Sequence, residues 1–396
     1  MGIVYGLIYL YLLLKPFYLF QSGTIQIADI FLILAFFVLL IINKNKSEKI
    51  ISISIFKNRY FVFFTLFVIL INAVYFIIYL KTKFLFSSLY FIFNFMAIII
   101  FSICYKNEKF ILNISKIFKF NIILQLLIYS LNLGRFYGSQ RYMGTFNDPN
   151  QFGYFIFISY IFIFLLKEKN KKIKNSLLYL ILSIFLIFQS ASTSMLLGIA
   201  VFLVLDIIYN IPKILKILKK NIGKIIMCSL FIIVLFLMFN MGLNFGLNNK
   251  MQNSISNLLI VERFKDKLNR VDTNSTNKGT LLEERGYDKI FLYPENLLYG
   301  AGEGMYERFK GTYHEDEIHA TFPSIFFYYG TIPMFLLLFW IYHKFKKLTF
   351  KIYIVYIALF FESFTLLNQR QALFWVIILL GEFLIQNKEK KVEELK

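Results

Sequence analysis

The sequence is poor in cysteine, histidine and proline. Its 396 residues include two cysteines, three histidines and six prolines. Cys104 and Cys228 both lie within apolar runs, where a cysteine acts as a small hydrophobic side chain. Two cysteines so placed supply neither a disulfide framework nor a metal-ligand spacing. We therefore expect no metal site, and we interpret the acidic run at 315–317 as a solvated surface.

Charged residues are also scarce, at 17% of the chain against 58% hydrophobic residues. A soluble domain is about half apolar and lacks long uncharged runs, whereas such runs recur here from end to end. In lipid, each backbone N–H and C=O must be paired within its segment, which favours helices, and the alternating segments of a transmembrane β-barrel are missing. The sequence predicts an all-α polytopic membrane protein, with residues 1–396 forming one integral membrane domain.

The apolar runs predict about twelve transmembrane helices, since about 20 apolar residues cross a bilayer. The expected spans are 3–21, 29–43, 60–80, 89–105, 120–135, 151–167, 176–190, 193–209, 225–241, 319–342, 352–367 and 372–387. No small-residue cleavage site follows the first run, so we expect it to be a retained helix. One large extracytoplasmic loop, at about 242–318, separates helices nine and ten. Helical spacing of its apolar residues predicts short surface helices at 253–272 and 281–293.

The net charge is +20, which in a soluble protein would suggest nucleic acid. The even-numbered short loops and the C-terminal tail hold 27 Lys and Arg residues, whereas the odd-numbered short loops hold five. Lys and Arg in short loops are retained on the cytoplasmic side. We therefore expect both termini in the cytoplasm, the large loop outside, and no nucleic-acid partner.

Two of the histidines, His314 and His319, lie on the predicted outer side, and His319 stands where helix ten enters the membrane. Histidine is the side chain best suited to take a proton near pH 7. A simpler interpretation, that both are polar boundary residues, stays open.

A cation and a glycine-rich turn lie in the same loop. Arg285 precedes, by one predicted helix, the turn that contains Gly300, Gly302 and Gly304. A cation there could serve an anionic group, and glycines allow close backbone approach. The turn could equally be a flexible connection, and it follows no strand of a dinucleotide-binding unit.

A third polar cluster, RYMGTFNDPNQFG, runs from Arg141 to Gly153 before helix six. Its Asn-Asp-Pro-Asn sequence predicts a turn and a helix start, so the pair Asn147 and Asp148 could serve as a helix cap. Arg141 is less easily explained, because the short outer loops are otherwise poor in cations.

Two charges fall inside predicted spans, Lys15 in helix one and Glu362 in helix eleven. Ionisable groups inside a membrane are costly and are usually paired or functional. We expect these two to pair with each other or to line a groove for a lipid carrier.

Together, three stretches resemble the Wzy-type O-antigen and capsule repeat-unit polymerases, which share a fold with O-antigen ligases. The first is R-x-x-G-T-F-x-D-P-N-x-x-G, from Arg141 to Gly153. The second is an Arg-headed helix that leads to a P-x5-G-x-G turn, here Arg285, Pro294, Gly300 and Gly302. The third is HATFPSIFFYYG, from His319 to Gly330.

The resemblance implies a glycosyltransferase of the bacterial cytoplasmic membrane whose substrates are undecaprenyl-diphosphate-linked oligosaccharides. His319 would be the base for the acceptor hydroxyl, and Arg285 would bind the departing diphosphate. The sugar diphosphate is already activated, so no cofactor is expected. Besides membrane lipid, a flippase and a chain-length regulator are further expected partners. The substrate-binding residues would be Lys15, Arg141, Asn150, Arg270, Gly300, Gly302 and Glu362.

The sequence departs from the family at the start of helix eight. Many members have a Ser-Arg pair there, whereas this chain has Thr193, Ser194 and Met195, so another cation, such as Arg141, Arg263 or Arg270, would have to replace that arginine. Other functions stay open: an O-antigen ligase, a flippase or other transporter, and a non-catalytic scaffold. The large loop and the absence of an internal repeat argue against a transporter.

Overall fold

The computed structural model describes residues 1–21, 24–42, 44–138, 141–174, 176–220, 280 and 282–393. Most of these residues are helical, which confirms the predicted helical class. The predicted ninth helix, the predicted surface helix at 253–272, and Arg263 and Arg270 lie outside the described residues.

Among the described residues, five helices are long and apolar enough to cross a membrane, which suggests a membrane protein. These segments are Arg59–Tyr79, Lys83–Cys104, Glu108–Ser130, Pro149–Lys169 and Thr193–Pro212. The shorter apolar segments are Gly2–Leu14, Ile27–Ile41, Ser176–Ser190, Thr331–Phe345 and Ala372–Leu384.

The first part of the chain consists of consecutive helices. They are α1 (Gly2–Leu14), α2 (Ile27–Ile41), α3 (Lys44–Lys57), α4 (Arg59–Tyr79), α5 (Lys83–Cys104) and α6 (Glu108–Ser130). Helix α3 was not predicted, because its sequence is polar and rich in lysine. Helix α6 begins after Asn107, whose side-chain oxygen accepts hydrogen bonds from the backbone N–H groups of Lys109 and Phe110.

A small hairpin separates the first helices from the middle of the chain. Strands β1 (Arg135–Tyr137) and β2 (Arg141–Gly144) are antiparallel, with Tyr137 opposite Arg141. They are followed by α7 (Pro149–Lys169), α8 (Ser176–Ser190) and α9 (Thr193–Lys220). Nearly all residues of α7 are buried, so this helix forms the centre of the bundle.

The last part of the chain begins with short elements and ends with longer helices. These are a 3-10 turn (Glu283–Arg285), α10 (Asp288–Leu292), α11 (Asn296–Tyr299), a second 3-10 turn (Tyr306–Arg308), α12 (Thr321–Tyr329), α13 (Thr331–Phe345), α14 (Phe350–Ser363) and α15 (Ala372–Glu393). The helix predicted at 281–293 is thus broken, since Gly286 has a φ of +73° between the 3-10 turn and α10.

The predicted tenth helix, 319–342, is also two helices rather than one. Gly330 separates α12 from α13 with a φ of +78°, a conformation that glycine adopts without a steric penalty. The break lets the segment around Gly300 lie directly against the backbone of α12. There the N–H groups of Ala301 and Gly302 donate to the carbonyls of Phe327 and Tyr328, at 3.1 and 2.8 Å.

Hydrogen bonds join the predicted odd-numbered loops to one another at one end of the bundle. The hydroxyl of Ser192, in the seventh predicted loop, donates to Asn150 of the fifth, and Arg370 of the eleventh donates to Glu303 of the ninth. We call this the loop end, because it carries residues 282–320. Ion pairs Lys344–Glu382 and Lys351–Glu168, both 2.6 Å, lie among residues of the even-numbered loops and the last helix.

We expect Gly330→Ala to lower the free energy of unfolding by about 3 kcal/mol, because it adds steric overlap to backbone strain. A Cβ at position 330 would lie 2.7 Å from the backbone nitrogen of Gly300 and the carbonyl oxygen of Leu298. Thermal unfolding of the purified protein in detergent measures the effect.

The matched control is Gly311→Ala. Gly311 has the same φ of +78°, but a Cβ there would meet nothing within 4 Å. In this variant the free energy of unfolding should fall by only about 1 kcal/mol, because backbone strain is the only cost. Equal losses at the two positions would contradict a packing role for the break.

Candidate functional site

A charged group that connects several segments of the loop end is Arg370, which lies between α14 and α15. Its Nη2 is 2.6 Å from Oε1 of Glu303 and 2.5 Å from Oε2 of Glu317, and it donates to the Tyr306 hydroxyl at 3.1 Å. One guanidinium therefore connects three positions of the preceding loop segment. The Arg370 side chain is 21% exposed and that of Glu303 only 1%.

Glu303 is held by three parts of the chain, two through its carboxylate and one through its backbone N–H. Besides binding Arg370, it accepts hydrogen bonds from the Tyr329 hydroxyl at 2.5 Å and from Nε2 of Gln369 at 3.1 Å. The backbone N–H of Glu303 donates to Oδ1 of Asn72 in α4, at 2.9 Å. A buried carboxylate is tolerated only when it is paired and hydrogen-bonded, as here.

The electrostatics of this cluster favour the charged form of Arg370 and the neutral form of Tyr306. Burial alone would lower the pKa of Arg370, but the carboxylates of Glu303 and Glu317 raise it well above its ordinary value. Burial, together with Glu303, raises the pKa of Tyr306. Arg370 therefore remains a cation and Tyr306 a neutral phenol near pH 7.

The two predicted catalytic residues lie next to each other. The backbone N–H of His319 donates to the carbonyl of Arg285 at 2.9 Å, and both side chains are half-buried. A Cβ added to Gly286 would be 3.3 Å from the carbonyl oxygen of Glu317, so the 3-10 turn that carries Arg285 packs directly on the segment that carries His319.

The surroundings of His319 favour its neutral form. Burial lowers the pKa of the imidazole below its ordinary value of 6.5, and the charges of Arg285 and Arg370 lower it further. The carboxylates of Glu317 and Asp316 act in the opposite direction, but they do not reverse the shift. A neutral imidazole at pH 7 can accept a proton.

Arg141 and Asn150 are also together. Nη2 of Arg141 donates to Oδ1 of Asn150 at 2.9 Å, and its Nε donates to the carbonyl of Ser190 at 3.1 Å. The Ser192 hydroxyl, in the connection between α8 and α9, donates to the same Oδ1 at 3.1 Å. The helix cap is Asp148, whose carboxylate accepts from the N–H groups of residues 150 and 151. Asn150 is thus a partner of Arg141 and not a cap.

The glycine-rich turn has a different role from the one predicted. A Cβ at Gly300 would lie 2.8 Å from the carbonyl oxygen of Tyr328, and one at Gly302 would lie 2.6 Å from the ring of Tyr75. The close backbone approach that these glycines permit is therefore to the protein itself. The geometry gives no support to Gly300 and Gly302 as substrate-binding residues.

An arginine fixes this turn from the other side. Arg308 donates to the carbonyls of Ala301 and Gly302. Its guanidinium lies about 5 Å from the centres of four aromatic rings, those of Tyr75, Tyr79, Phe84 and Phe309. Burial lowers the pKa of Arg308. Arg308 is thus a structural cation that stabilises the turn.

The expected pairing of Lys15 with Glu362 is wrong. Nζ of Lys15 lies 2.7 Å from Oδ1 of Asp29, and both side chains are mostly buried. The second oxygen of Asp29 accepts the N–H of Gln26 in a capping box at the start of α2, which brings this carboxylate to the lysine. Glu362 instead accepts two hydrogen bonds from Nδ2 of Asn368, at 2.9 and 2.7 Å.

Sequence analysis therefore missed three charged residues of the loop end, although the sequence holds a feature at each that could have identified it. Arg370 is one of only five cations in the predicted short outer loops. Glu303 is an acidic residue within a glycine-rich turn. Asp29 stands at the first position of a predicted span, fourteen residues after Lys15.

Among the residues that the structure describes, no three His, Cys, Asp or Glu side chains are grouped so that they could hold a metal ion. Comparisons of the chain with protein-family models, curated proteins and solved structures gave no match. The function must therefore be argued from the geometry and the sequence pattern.

We expect Arg370→Gln to lower the free energy of unfolding by about 3 kcal/mol, because it leaves the buried Glu303 carboxylate without its cation. The double variant Glu303→Gln/Arg370→Gln should lose less than the sum of the single variants, since it removes both charges. Thermal unfolding of the purified variants in detergent measures the three values.

The exposed pair Lys310–Glu315, at 3.5 Å, supplies the control. Lys310→Gln should change the free energy of unfolding by less than about 1 kcal/mol, because solvent screens exposed ion pairs. Strictly additive losses in the double variant would contradict direct coupling of Arg370 with Glu303.

Proposed function

We propose that this chain is a polymerase of lipid-linked oligosaccharide repeat units in a bacterial cytoplasmic membrane. About twelve helices would cross the membrane, with both termini in the cytoplasm and residues of about 242–318 outside. The five long apolar helices support a membrane location. The contacts that join the predicted odd-numbered loops to each other at the loop end support the proposed sidedness.

The observation that carries the proposal is the contact of Arg285 with His319. A backbone hydrogen bond joins the two residues before α12, and the charge of Arg285 is near enough to help lower the pKa of the imidazole. Transfer of a glycan from a diphosphate carrier to a hydroxyl requires a proton acceptor on one side and a cation on the other. This pair supplies both chemical groups.

In the proposed reaction, the acceptor sugar hydroxyl attacks the anomeric carbon of the glycan that is linked to undecaprenyl diphosphate. The hydroxyl proton passes to His319 as the new carbon–oxygen bond forms. The bond between the anomeric carbon and the diphosphate oxygen breaks, and the diphosphate leaves with the electron pair. Arg285 stabilises the negative charge that develops on that oxygen, since a guanidinium binds phosphate oxygens with two hydrogen bonds.

Arg141 is the best candidate for a second substrate cation among the described residues. Arg141 donates to Asn150 and to the carbonyl of Ser190, and Ser192, which donates to the same Asn150 oxygen, directly precedes α9. Members of the resembled family have the arginine that this chain lacks at the start of that helix. Arg141 would thus add positive charge for the diphosphate.

Removal of the His319 imidazole should abolish polymer formation. In a strain that lacks the native gene, His319→Ala is expected to be present at a normal protein level and to yield only single repeat units. The measurement is polymer length on a gel, where the ladder of longer products should be missing. His314→Ala is the matched control, since His314 is exposed in the same segment, and it should yield full-length polymer. Full-length polymer from His319→Ala would remove His319 as the base.

The pH profile should respond to the charges near His319. Its neutral form is the active one, so activity should rise with pH through the pKa of the imidazole. Asp316 raises that pKa, so Asp316→Asn should lower it and shift the acid limb of the profile to lower pH. Polymer formation by the purified protein from lipid-linked repeat units, followed across pH, measures this shift.

The neighbouring exposed carboxylate offers a control for the same assay. Glu315 is paired with Lys310 and does not contribute to the pKa shift of His319, so Glu315→Gln should leave the acid limb in place. Identical profiles for Asp316→Asn and the unaltered protein would speak against His319 as the titrating base.

A further inference from the structure

The connection between α14 and α15, residues 364–371, makes hydrogen bonds close to both proposed catalytic residues. It contacts the segment of Arg285 through Tyr287, whose hydroxyl donates to the carbonyl of Phe364 at 2.7 Å. The 3-10 turn ends at Arg285, two residues before Tyr287. The first residue of the connection therefore holds the part of the chain that carries the proposed cation.

The same connection holds the chain on both sides of His319. Two residues before the imidazole, Oε2 of Glu317 lies 2.5 Å from Nη2 of Arg370. Two residues after it, the hydroxyl of Thr321 donates to the carbonyl of Leu366 at 2.7 Å and accepts a backbone N–H of the connection at 2.8 Å. The segment that carries the proposed base is thus attached to the connection at two points.

Glu317 differs from the acidic residues that precede it. Its side chain is 22% exposed, whereas that of Glu315 is 56% exposed. An ion pair that is partly withdrawn from solvent is screened less than an exposed pair, so it holds its partners more firmly. The acidic run at 315–317 is therefore not uniformly solvated, and its last member is a point of attachment.

Further contacts fix the connection itself. The carbonyl of Gln369 accepts hydrogen bonds from Nδ2 of Asn94 in α5, at 2.7 Å, and from Nε1 of Trp375 in α15, at 2.9 Å. Its side-chain oxygen accepts the hydroxyl of Ser324 in α12, at 2.6 Å. Gln369 is fully buried. Groups that are locked in this way can hold other residues in a defined geometry.

We propose that the α14–α15 connection positions Arg285 and His319 relative to each other, with Tyr287 and Arg370 as its positioning residues. The proposal rests on the proposed polymerase function for the roles of the two positioned groups. Tyr287 acts on the turn that ends at Arg285, and Arg370 acts through Glu317. A base and a cation that serve one reacting bond must be held close to their productive geometry, because small displacements are costly in rate.

The electrostatics around His319 give this arrangement a signature that can be measured. Arg285, from the 3-10 turn, and Arg370, from the connection, lower the pKa of the imidazole. Glu317 and Asp316, from its own segment, raise that pKa. Loss of Arg370 and loss of Glu317 should therefore shift the pKa in opposite directions. A residue that only stabilises the fold would produce no such opposition.

NMR titration of the full chain in detergent micelles tests the Arg370–Glu317 pair. The chain has three histidines, so labelling with ¹³C at Cε1 gives few resonances, and substitution of His314 or His343 assigns them. Glu317→Gln should lower the pKa of His319, and Arg370→Gln should raise it. Arg370→Lys keeps the charge and should leave the pKa close to that of the unaltered chain. Shifts in the same direction for the two neutral variants would overturn the proposal.

Tyr287→Phe tests the attachment of the Arg285 segment. It should lower the kcat of polymer formation from lipid-linked repeat units roughly tenfold, because it loosens the position of the cation. The matched control is Tyr293→Phe, since the Tyr293 hydroxyl also donates to a backbone carbonyl at 2.7 Å, that of Lys310, which lies outside the connection. The control should keep its kcat, and the two variants should have the same unfolding midpoint. Equal kcat values would remove Tyr287 as a positioning residue.

The positioning proposal and the polymerase proposal can fail separately. The titration of His319 requires no substrate, so opposite pKa shifts in a chain that makes no polymer would retain the positioning element and reject the polymerase. Polymer formation with an unchanged His319 pKa in Glu317→Gln would do the reverse. Glu317→Gln leaves the pair of Arg370 with Glu303 in place, so this variant tests the proposal even where Arg370→Gln does not fold.

Discussion

The loop end depends on the ion pair between Arg370 and Glu303. The two residues are 67 positions apart in the sequence, and their contact joins the segment before α12 to the connection between α14 and α15. A buried carboxylate is unstable without a cation, and a buried guanidinium without a carboxylate. Each segment therefore requires the other to be folded. Because Arg370 also binds Glu317, the same pair determines where the chain lies two residues before His319.

Around this pair, the cations of the loop end are held in different ways. Arg308 is enclosed by aromatic rings and donates to backbone carbonyls, and Lys15 is neutralised by Asp29. Arg141 donates to Asn150 and to the carbonyl of Ser190, and Arg285 lies beside His319, whose imidazole pKa is lowered. Lys15 attracts a further anion only weakly, because its charge is already neutralised by a carboxylate.

The sequence was informative where the signal is local. Uncharged runs predicted helices, and Asp148 before Pro149 predicted the start of α7. Arg141 and Asn150, nine residues apart, were correctly placed in one cluster. Contacts between distant segments were not predictable in the same way. Lys15 could have paired with any acid near the same membrane depth, and the choice of Asp29 depends on how α2 packs on α1. The break at Gly330 depends on a backbone contact with Gly300, thirty residues earlier.

That glycine contact has a consequence for how related chains can vary. Gly300 and Gly330 touch backbone to backbone, so the absence of a side chain at one position is useful only while the other also lacks one. We therefore expect glycine to be present or absent at the two positions together in related chains. Insertions should be absent next to either glycine and should accumulate away from their contact, in stretches such as the one around Gly311, where a Cβ would meet nothing within 4 Å.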